Sequence, residues 1–390
     1  MNTCNICGNY IDDPVYTSSN SISITSLCEV VKIDTKVYFC NVCGHLGNEA
    51  ISNLDDYYDH NYKLLVNSEE EDQLYDVVNN QKVYRTEHQV MTLLRKLNIS
   101  EGAKVLDYGC AKGATLRELV KIRPDITPYL FDVSKDYIPY WSKFVNSNNW
   151  AVYQLKTSWW GNFELITSFF SLEHVAKPRE FIENIAELLM EDGTFYCIIP
   201  NVYANIADFI VVDHVNHFSS ESIRFLFETC GLKVIEIDEF SHNGAFVIVA
   251  KKQANKAEYI PIDRNIEVLL QNKVHDIAEY WKQTSIRIQE FESMQSDNQT
   301  AAIYGSGFYG TFIFTCLKNT SKIKYFIDQN SFVQGKQIFG KKIIPPNELE
   351  DQCKVIYVGL NPLRAASIIN SISSWKDKKY TIFYPMAKCP

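Results

Sequence analysis

The chain of 390 residues is too long for one ordinary hydrophobic core, and its 46% hydrophobic content is that of a globular protein, so we expect two or three domains. A formal net charge of -9 argues against nucleic acid as a partner. No run of 18 apolar residues occurs and the first residues form no basic and apolar leader, so we expect a cytoplasmic protein without a membrane segment.

Two Cys-x2-Cys knuckles mark residues 1–54, which are otherwise rich in short β-branched runs without helical periodicity. The first knuckle is Cys4 and Cys7, the second is Cys40 and Cys43, and a glycine follows each pair. Two knuckles separated by a hairpin place four thiolates around Zn²⁺, and because all four positions are ligands we expect a structural zinc module. The alternative is a pair of incidental sequences or redox dithiols. Most of the other cysteines are expected to be reduced thiols.

The segment 55–255 has the pattern of an α/β domain. Residues 55–98 have a helical pattern that ends in an apolar face containing Leu93 and Leu97. Strand-like and helical stretches then alternate, which predicts a mostly parallel sheet with helices on both faces. The predicted strands are 104–107, 128–132, 164–170, 193–199, 233–237 and 245–250.

A glycine-rich turn, Asp107-x-Gly109-x-x-x-Gly113, follows the first of these strands and leads into a helix. Its glycines let a ligand press against the backbone, and the helix N-terminus offers free amides. Asp107 can accept a hydrogen bond from an amino group. The spacing differs from the Gly-x-Gly-x-x-Gly of dinucleotide-binding proteins.

This strand, acid and turn resemble the first motif of class I S-adenosylmethionine-dependent methyltransferases. Asp132 ends the next strand, where that family binds both ribose hydroxyls of S-adenosylmethionine (SAM). The stretch 164–169 stands where the family has its fourth strand. The resemblance implies a Rossmann-like methyltransferase sheet that binds SAM through Asp107, Gly109, Gly113, Asp132, Ser168 and Phe169. The alternative is a nucleotide fold without methyl transfer.

Two histidine-bearing segments follow strand ends, where open α/β sheets bind their ligands. His174 comes after the strand at 164–170, and Asp213, His214 and His217 come after the strand at 193–199. A histidine in such a place can act as a general base near neutral pH when a carboxylate orients it. The alternative is that these histidines only cap helices or contact the cofactor.

Residues 256–390 are predicted to form a long helix over 264–294 and then a smaller Rossmann-like α/β domain. A turn with Gly305, Gly307 and Gly310 follows a strand, and Asp328 lies on the next strand, as in a dinucleotide fingerprint. This domain either helps to hold a nucleotide or is a packing domain with a relic glycine turn.

The order of zinc module, methyltransferase core and C-terminal Rossmann-like domain resembles the nucleotide-sugar C-methyltransferases that make branched deoxysugars. The resemblance implies that a base removes a proton from carbon 3 of a 4-keto sugar, and that the enolate attacks the SAM methyl group. His214 falls on the family's base, Asp213 on its acid and His174 on a histidine lining the sugar site.

The same resemblance bears on the substrate site. The residues expected to contact substrate are Asn201, His217, His242, Gly305, Gly307 and Asp328. O- or N-methylation of a sugar or another small polar metabolite is the rival activity, and a zinc- and nucleotide-binding scaffold without catalysis is the rival class. The sequence does not predict the oligomeric state.

Overall fold

The computed structural model describes residues 3–18, 21–49, 71–78, 81–258, 260–296 and 298–386. The chain forms two compact units. The first comprises Met1–Pro14, Val37–Asp208 and Asp213–Val268, and the second comprises Val15–Lys36, Phe209–Val212 and Leu269–Pro390. The division into segments 1–54, 55–255 and 256–390 stays a prediction.

Short strands make up the N-terminal part of the chain. They are β1 Tyr16–Thr17, β2 Ser23–Ile24, β3 Val30–Val31, β4 Lys36–Phe39 and β5 Leu46–Asn48. In the first unit β4 and β5 pair antiparallel, with Tyr38 opposite Gly47. In the second unit β2 and β3 pair antiparallel, with Ser23 opposite Val31.

A hairpin and a helix follow the next described residues. Strands β6 (Leu74–Val78) and β7 (Gln81–Tyr84) pair antiparallel, and helix α1 covers Arg85–Lys96. The helical pattern predicted over 55–98 is therefore confirmed for the helix but wrong for the hairpin, whose valines and tyrosines favour extended backbone. Residues 55–70 of that prediction lie outside the described residues.

A seven-stranded sheet forms the centre of the first unit, in the order β10-β9-β8-β11-β12-β15-β14. Its strands are β8 Lys104–Tyr108, β9 Thr127–Asp132, β10 Trp150–Val152, β11 Phe163–Phe169, β12 Leu189–Pro200, β14 Leu232–Asp238 and β15 Ala245–Lys252. The first five strands in this order are parallel, and β15 runs antiparallel between β12 and β14. The mostly parallel sheet predicted from the sequence is confirmed.

Helices cover this sheet. They are α2 Ala114–Ile122, α3 Ile138–Trp141, α4 Pro178–Leu188 and α5 Ser220–Thr229, and the short strand β13 (Asn216–His217) precedes the last of them. Consecutive residues of a strand enter different cores: Leu106 packs with one apolar cluster and Val105 with the other. Both faces of the sheet are therefore buried, and polar side chains gather where the parallel strands end.

The second unit contains a six-stranded sheet in the order β18-β19-β17-β16-β20-β21. Its strands are β16 Thr300–Tyr304, β17 Ile323–Ile327, β18 Gln337–Ile338, β19 Lys341–Ile344, β20 Cys353–Val358 and β21 Thr381–Phe383. Only β18 runs antiparallel to its neighbour.

The remaining helices are α6 Arg264–Ser293, α7 Phe308–Cys316 and α8 Pro362–Asn370. Helix α6 matches the helix predicted over 264–294 to within one residue. Among the described residues, no helix is long and apolar enough to cross a bilayer.

Candidate functional site

The glycine turn after β8 depends on glycine at its first position. Gly109 has φ +74°, and a Cβ there would lie 2.2 Å from the Ser171 hydroxyl oxygen. The Gly109 and Cys110 amides both donate to the Phe131 carbonyl, so the turn is fixed against the end of β9. Gly113, with φ +70°, then starts helix α2. The backbone at this helix N-terminus therefore has the form predicted from the sequence.

Two buried aspartates flank this turn. The Thr167 hydroxyl donates to Asp107 Oδ1 at 2.9 Å, and burial raises the pKa of Asp107 to about 7. Asp132 accepts from the Ala111 amide at 2.7 Å and from the Ser134 amide at 3.0 Å, and burial raises its pKa to about 6. A ligand with an ammonium group and hydroxyls would return both carboxyls to the ionised form.

Two more predicted cofactor residues end strand β11. The Ser168 hydroxyl is buried and has no hydrogen-bond partner in the described part of the chain. Phe169 is half-buried, with its ring centroid 6.0 Å from that of Tyr196. An unpartnered buried hydroxyl, two buried acids and an open helix N-terminus fit a cofactor that carries an amino group and ribose hydroxyls.

The four knuckle cysteines converge in the first unit. Cys4 Sγ lies 3.6 Å from Cys43 Sγ, and Cys7 Sγ lies 3.4 Å from Cys40 Sγ, with no disulfide between them. Zinc–sulfur bonds of about 2.3 Å in a tetrahedron require sulfurs roughly 3.8 Å apart. The cluster is therefore compatible with Zn²⁺, as predicted from the spacing.

A carboxylate holds two of the histidines that follow β12. Asp208, 2% exposed, accepts from His214 Nδ1 at 2.5 Å through one oxygen and from His217 Nδ1 at 2.7 Å through the other. The acid predicted as the partner of His214 was Asp213, but the hydrogen-bonded carboxylate is Asp208. Its position six residues before His214 follows no spacing rule, so sequence reasoning missed it.

This ion pair sets the charge of His214. Burial lowers the pKa of His214, but the charge and hydrogen bond of Asp208 outweigh it and raise the pKa to about 9. The same contacts keep the pKa of Asp208 well below its usual range despite burial. Because Nδ1–H donates to Asp208, Nε2 is the nitrogen that can exchange a proton with a ligand.

His174 lies against His214, with ring centroids 4.6 Å apart at nearly a right angle. Its Nδ1 donates to the Asp213 carbonyl at 3.2 Å, and the Asp213 carboxylate lies 3.8 Å from it. Burial and the His214 charge lower the pKa of His174 to about 4, so it is neutral at physiological pH. The structure thus brings the three predicted catalytic residues together, with Asp213 beside His174.

Glu173 joins this group, although sequence reasoning did not select it. Its side chain is 1% exposed, and Oε2 has no hydrogen-bond partner among the residues described. One ligand atom each of Glu173, His174 and His214 lie within 4.8 Å of one another.

Residues 40–48, which contain the second knuckle, contact the loop that contains Asp208, His214 and His217, which we call the histidine loop. Strand β13, which contains His217, pairs antiparallel with β5, and the Asn48 side chain donates to the His214 carbonyl at 3.0 Å. The Ser219 hydroxyl donates to the Gly44 carbonyl at 3.0 Å. The backbone on both sides of the histidines is therefore fixed by the segment that contains the second knuckle.

Two further predicted substrate residues lie in the first unit. The Asn201 side chain accepts from the Tyr203 amide at 3.0 Å. His242 lies in a ring cluster with Tyr75 at 4.8 Å, His88 at 5.3 Å and Phe170 at 5.4 Å between centroids. Burial lowers the pKa of His242 to about 4, so it is a neutral group in an aromatic surrounding.

The other three predicted substrate residues, Gly305, Gly307 and Asp328, lie in the second unit. A Cβ at Gly305 would lie 2.2 Å from the Gly359 carbonyl oxygen, whereas a Cβ at Gly307 would meet nothing within 4 Å. Asp328 Oδ2 accepts from the Ser306 amide at 3.0 Å and from its hydroxyl at 2.7 Å. The turn and its acid are therefore bonded to each other.

Residues 80–237, which contain the first glycine turn and the histidine cluster, match the family described as "Methyltransferase domain". The methyltransferase domain predicted from the sequence is thus confirmed over these residues.

A curated relative is the C-methyltransferase NovU of Streptomyces niveus, 25% identical over 184 residues. The match covers 44% of each chain, so this protein spans less than half the length of that relative.

Solved structures also resemble part of the chain. A SAM-dependent methyltransferase of Aquifex aeolicus has 20% identity and a TM-score of 0.35, covering 42% of this chain and 89% of its own. The carbon methyltransferase CurJ has 14% identity and a TM-score of 0.34, covering 42% and 52%. At these TM-scores neither likeness supports a functional argument.

Proposed function

We propose that the protein is a SAM-dependent C-methyltransferase that acts on a nucleotide-linked 4-keto deoxysugar. The observation that carries the proposal is the Asp208–His214 pair at the carboxyl edge of the sheet, because a carbon acid requires a positioned base. The similarity of the methyltransferase domain to a C-methyltransferase, NovU, supports the reaction type. The resemblance of the domain order to nucleotide-sugar C-methyltransferases supports the substrate class.

The residues of the turn hold the cofactor in this proposal. Asp107 would hold its amino group, Asp132 would hold its ribose hydroxyls, and the Ser168 hydroxyl would gain a partner on binding. SAM supplies an electrophilic methyl group, so the protein has only to align and deprotonate the acceptor.

His214 is the base. Asp208 holds Nδ1–H, which fixes the tautomer and leaves Nε2 to take the proton from the carbon next to the ketone. The carboxylate also stabilises the imidazolium that forms. Neutral His174 is close enough to His214 to contact the same acceptor.

Isotope exchange tests this chemistry. We expect the protein, incubated in heavy water with a 4-keto nucleoside diphosphate sugar, to exchange deuterium into the carbon next to the ketone and, with SAM, to form a C-methyl product detected by mass. His214→Asn should abolish both, with SAM binding by calorimetry unchanged. An absence of exchange and of C-methyl product with every keto sugar tried would refute the proposal.

A structural zinc ion on Cys4, Cys7, Cys40 and Cys43 completes the proposal. The sulfur spacing and the burial of the cluster support it. Metal analysis of the purified protein should find about one zinc per chain, lost in Cys4→Ser and kept in Cys230→Ser, which replaces a buried thiol outside the cluster. Zinc-free protein with an unchanged thermal melt would count against it.

A further inference from the structure

Glu173 is a buried carboxyl group to which the proposed chemistry has so far given no role. Glu173 is buried in the first unit, where it lies on the turn Leu172–His174 directly after β11. An ionised carboxylate with an unpartnered oxygen at 1% exposure would be costly, because desolvation penalises the charged form without a hydrogen bond to offset it. The position therefore favours the neutral acid.

The surroundings of Glu173 agree with a neutral acid. The groups whose charges act on it are His214 and Asp208 from the histidine loop and Arg85 at the start of α1, and the Cys197 thiol on β12 is close enough to be affected by it. Burial raises the pKa of Glu173 to about 8, although the His214 charge lowers it. At neutral pH a proton therefore remains on this carboxyl.

We propose that Glu173 is a neutral carboxylic acid that donates its O–H to the acceptor's carbonyl oxygen as negative charge develops there. This inference rests on the proposed function, because it assigns the group that stabilises the enolate oxygen. The geometry that points to it is one cluster in which Glu173 and His214 have ligand atoms within 4.8 Å, one as acid and the other as base.

The proton and electron balance follows from these two groups. His214 Nε2 takes the proton from the carbon next to the ketone, and that bond pair becomes the carbon–carbon double bond while the carbonyl π pair moves to oxygen. The Glu173 O–H donates to that oxygen. The double-bond pair then forms the new bond from carbon to the methyl group, the bond from the methyl group to the sulfonium sulfur breaks with its pair left on sulfur, and a pair on oxygen restores the carbonyl. The proton remains with Glu173, and His214 releases the other proton to solvent.

An acid and a base with these properties predict a narrow optimum. Glu173 must keep its proton, so activity falls as pH rises through about 8, and His214 must lose its proton, so activity rises through about 9. Because the acid titrates below the base, only a minority of molecules has both groups in the active state, and kcat/KM should peak between these two values.

Infrared spectroscopy tests the neutral acid without a substrate. The wild-type minus Glu173→Gln difference spectrum at neutral pH should contain the C=O stretching band of a protonated carboxyl. Glu191→Gln is the matched control, because Glu191 is exposed to solvent and its removal should change only carboxylate bands. If Glu173→Gln removes only carboxylate bands, the proposal is overturned.

Metal analysis provides a second independent test. A second divalent metal ion that binds wild type but not Glu173→Gln would also overturn the proposal, since a ligand carboxylate is ionised.

Kinetics test the donor role. Glu173→Leu should lower turnover roughly 10²–10³-fold, and Glu173→Gln, which keeps an N–H donor, should retain more activity and lose the descending limb of the pH profile. Turnover of Glu173→Leu equal to wild type would overturn the assignment. If wild type itself neither exchanges deuterium nor methylates any keto sugar, the proposed function fails instead, so the two failures are distinct.

Discussion

The two α/β units share the same strand-glycine-helix signature, but their carboxyl edges differ. In the first unit the turn is followed by buried acids and a histidine cluster, and the Ser168 hydroxyl and Glu173 Oε2 have no hydrogen-bond partner among the described residues. In the second unit Asp328 accepts from both the amide and the hydroxyl of Ser306, while the Thr311 hydroxyl on α7 has no hydrogen-bond partner among the described residues.

The glycines of the two turns have different neighbours as well. Gly109 faces a serine side chain, whereas Gly305, Gly310 and Gly359 pack backbone against backbone. In the second unit the same motif serves close packing of the chain on itself.

The largest expected effect is on the rate of catalysis at the carboxyl edge of the first unit's sheet. We expect Asp208→Asn to lower kcat roughly 10²–10⁴-fold, because asparagine does not stabilise the imidazolium. The carboxylate favours the charged form of His214, so its removal should move the ascending limb of the kcat/KM profile from about 9 down toward the ordinary histidine value of about 6.5. Asp328→Asn should leave the pH profile unchanged. The same shift in both variants would show that the two units do not differ in their role in catalysis.

The next largest effect is expected on the stability of the second unit, at its glycine turn. A Cβ at Gly310 would lie 1.9 Å from the Gly305 carbonyl oxygen, so Gly310→Ala should lower the free energy of unfolding by about 3 kcal/mol or more. Gly307→Ala, with open space around the new methyl group, should change it by less than about 1 kcal/mol. Urea unfolding measures both, and equal values would show that backbone packing does not explain this motif.

The affinity for SAM should distinguish Asp132 in the first unit from Asp328 in the second. Asp132→Asn is expected to raise the SAM dissociation constant roughly 10-fold, or about 1.4 kcal/mol, because a hydrogen-bonded carboxylate is lost. Asp328→Asn should leave it within about twofold. Calorimetric titration with SAM compares the two variants. A larger loss of SAM affinity in Asp328→Asn than in Asp132→Asn would indicate that SAM binds at the glycine turn of the second unit.

The smallest expected effect concerns the orphaned hydroxyl. Ser168→Ala should raise the SAM dissociation constant about fivefold, since the hydroxyl would gain its hydrogen bond only in the complex and such a bond contributes roughly 1 kcal/mol. The free protein should be no less stable, because the hydroxyl that is removed is buried and has no partner in the part of the chain that the structure describes. A loss of stability without a change in affinity would show a structural role.

Most of the first unit's sheet was predictable from the sequence, because apolar runs of strand length end at acids and glycines. Strand β8 and the turn after it are the plainest case. The hairpin β6–β7 was not, since its residues lie within a longer stretch whose apolar spacing also fits a helix.

In the histidine cluster, the histidines were predictable from the sequence but the carboxyl groups that contact His214 were not. Asp213 was chosen because it adjoins His214, yet its carbonyl contacts His174, and the folded turn Asp208–Ile210 places Asp208 on His214 instead. Glu173 escaped notice because its importance comes from burial and a missing partner, and neither is encoded by spacing.

The strand pair β5–β13 connects the proposed zinc cluster with the proposed base. Strand β5 pairs with β13 and Asn48 on it bonds to the His214 carbonyl, so the position of the histidines depends on the segment that contains the second knuckle. If zinc binds there, its removal would destabilise β5, and we expect Asp208 and His214 to lose their alignment as a result. A chelator would then resemble a catalytic inhibitor while acting only on the scaffold.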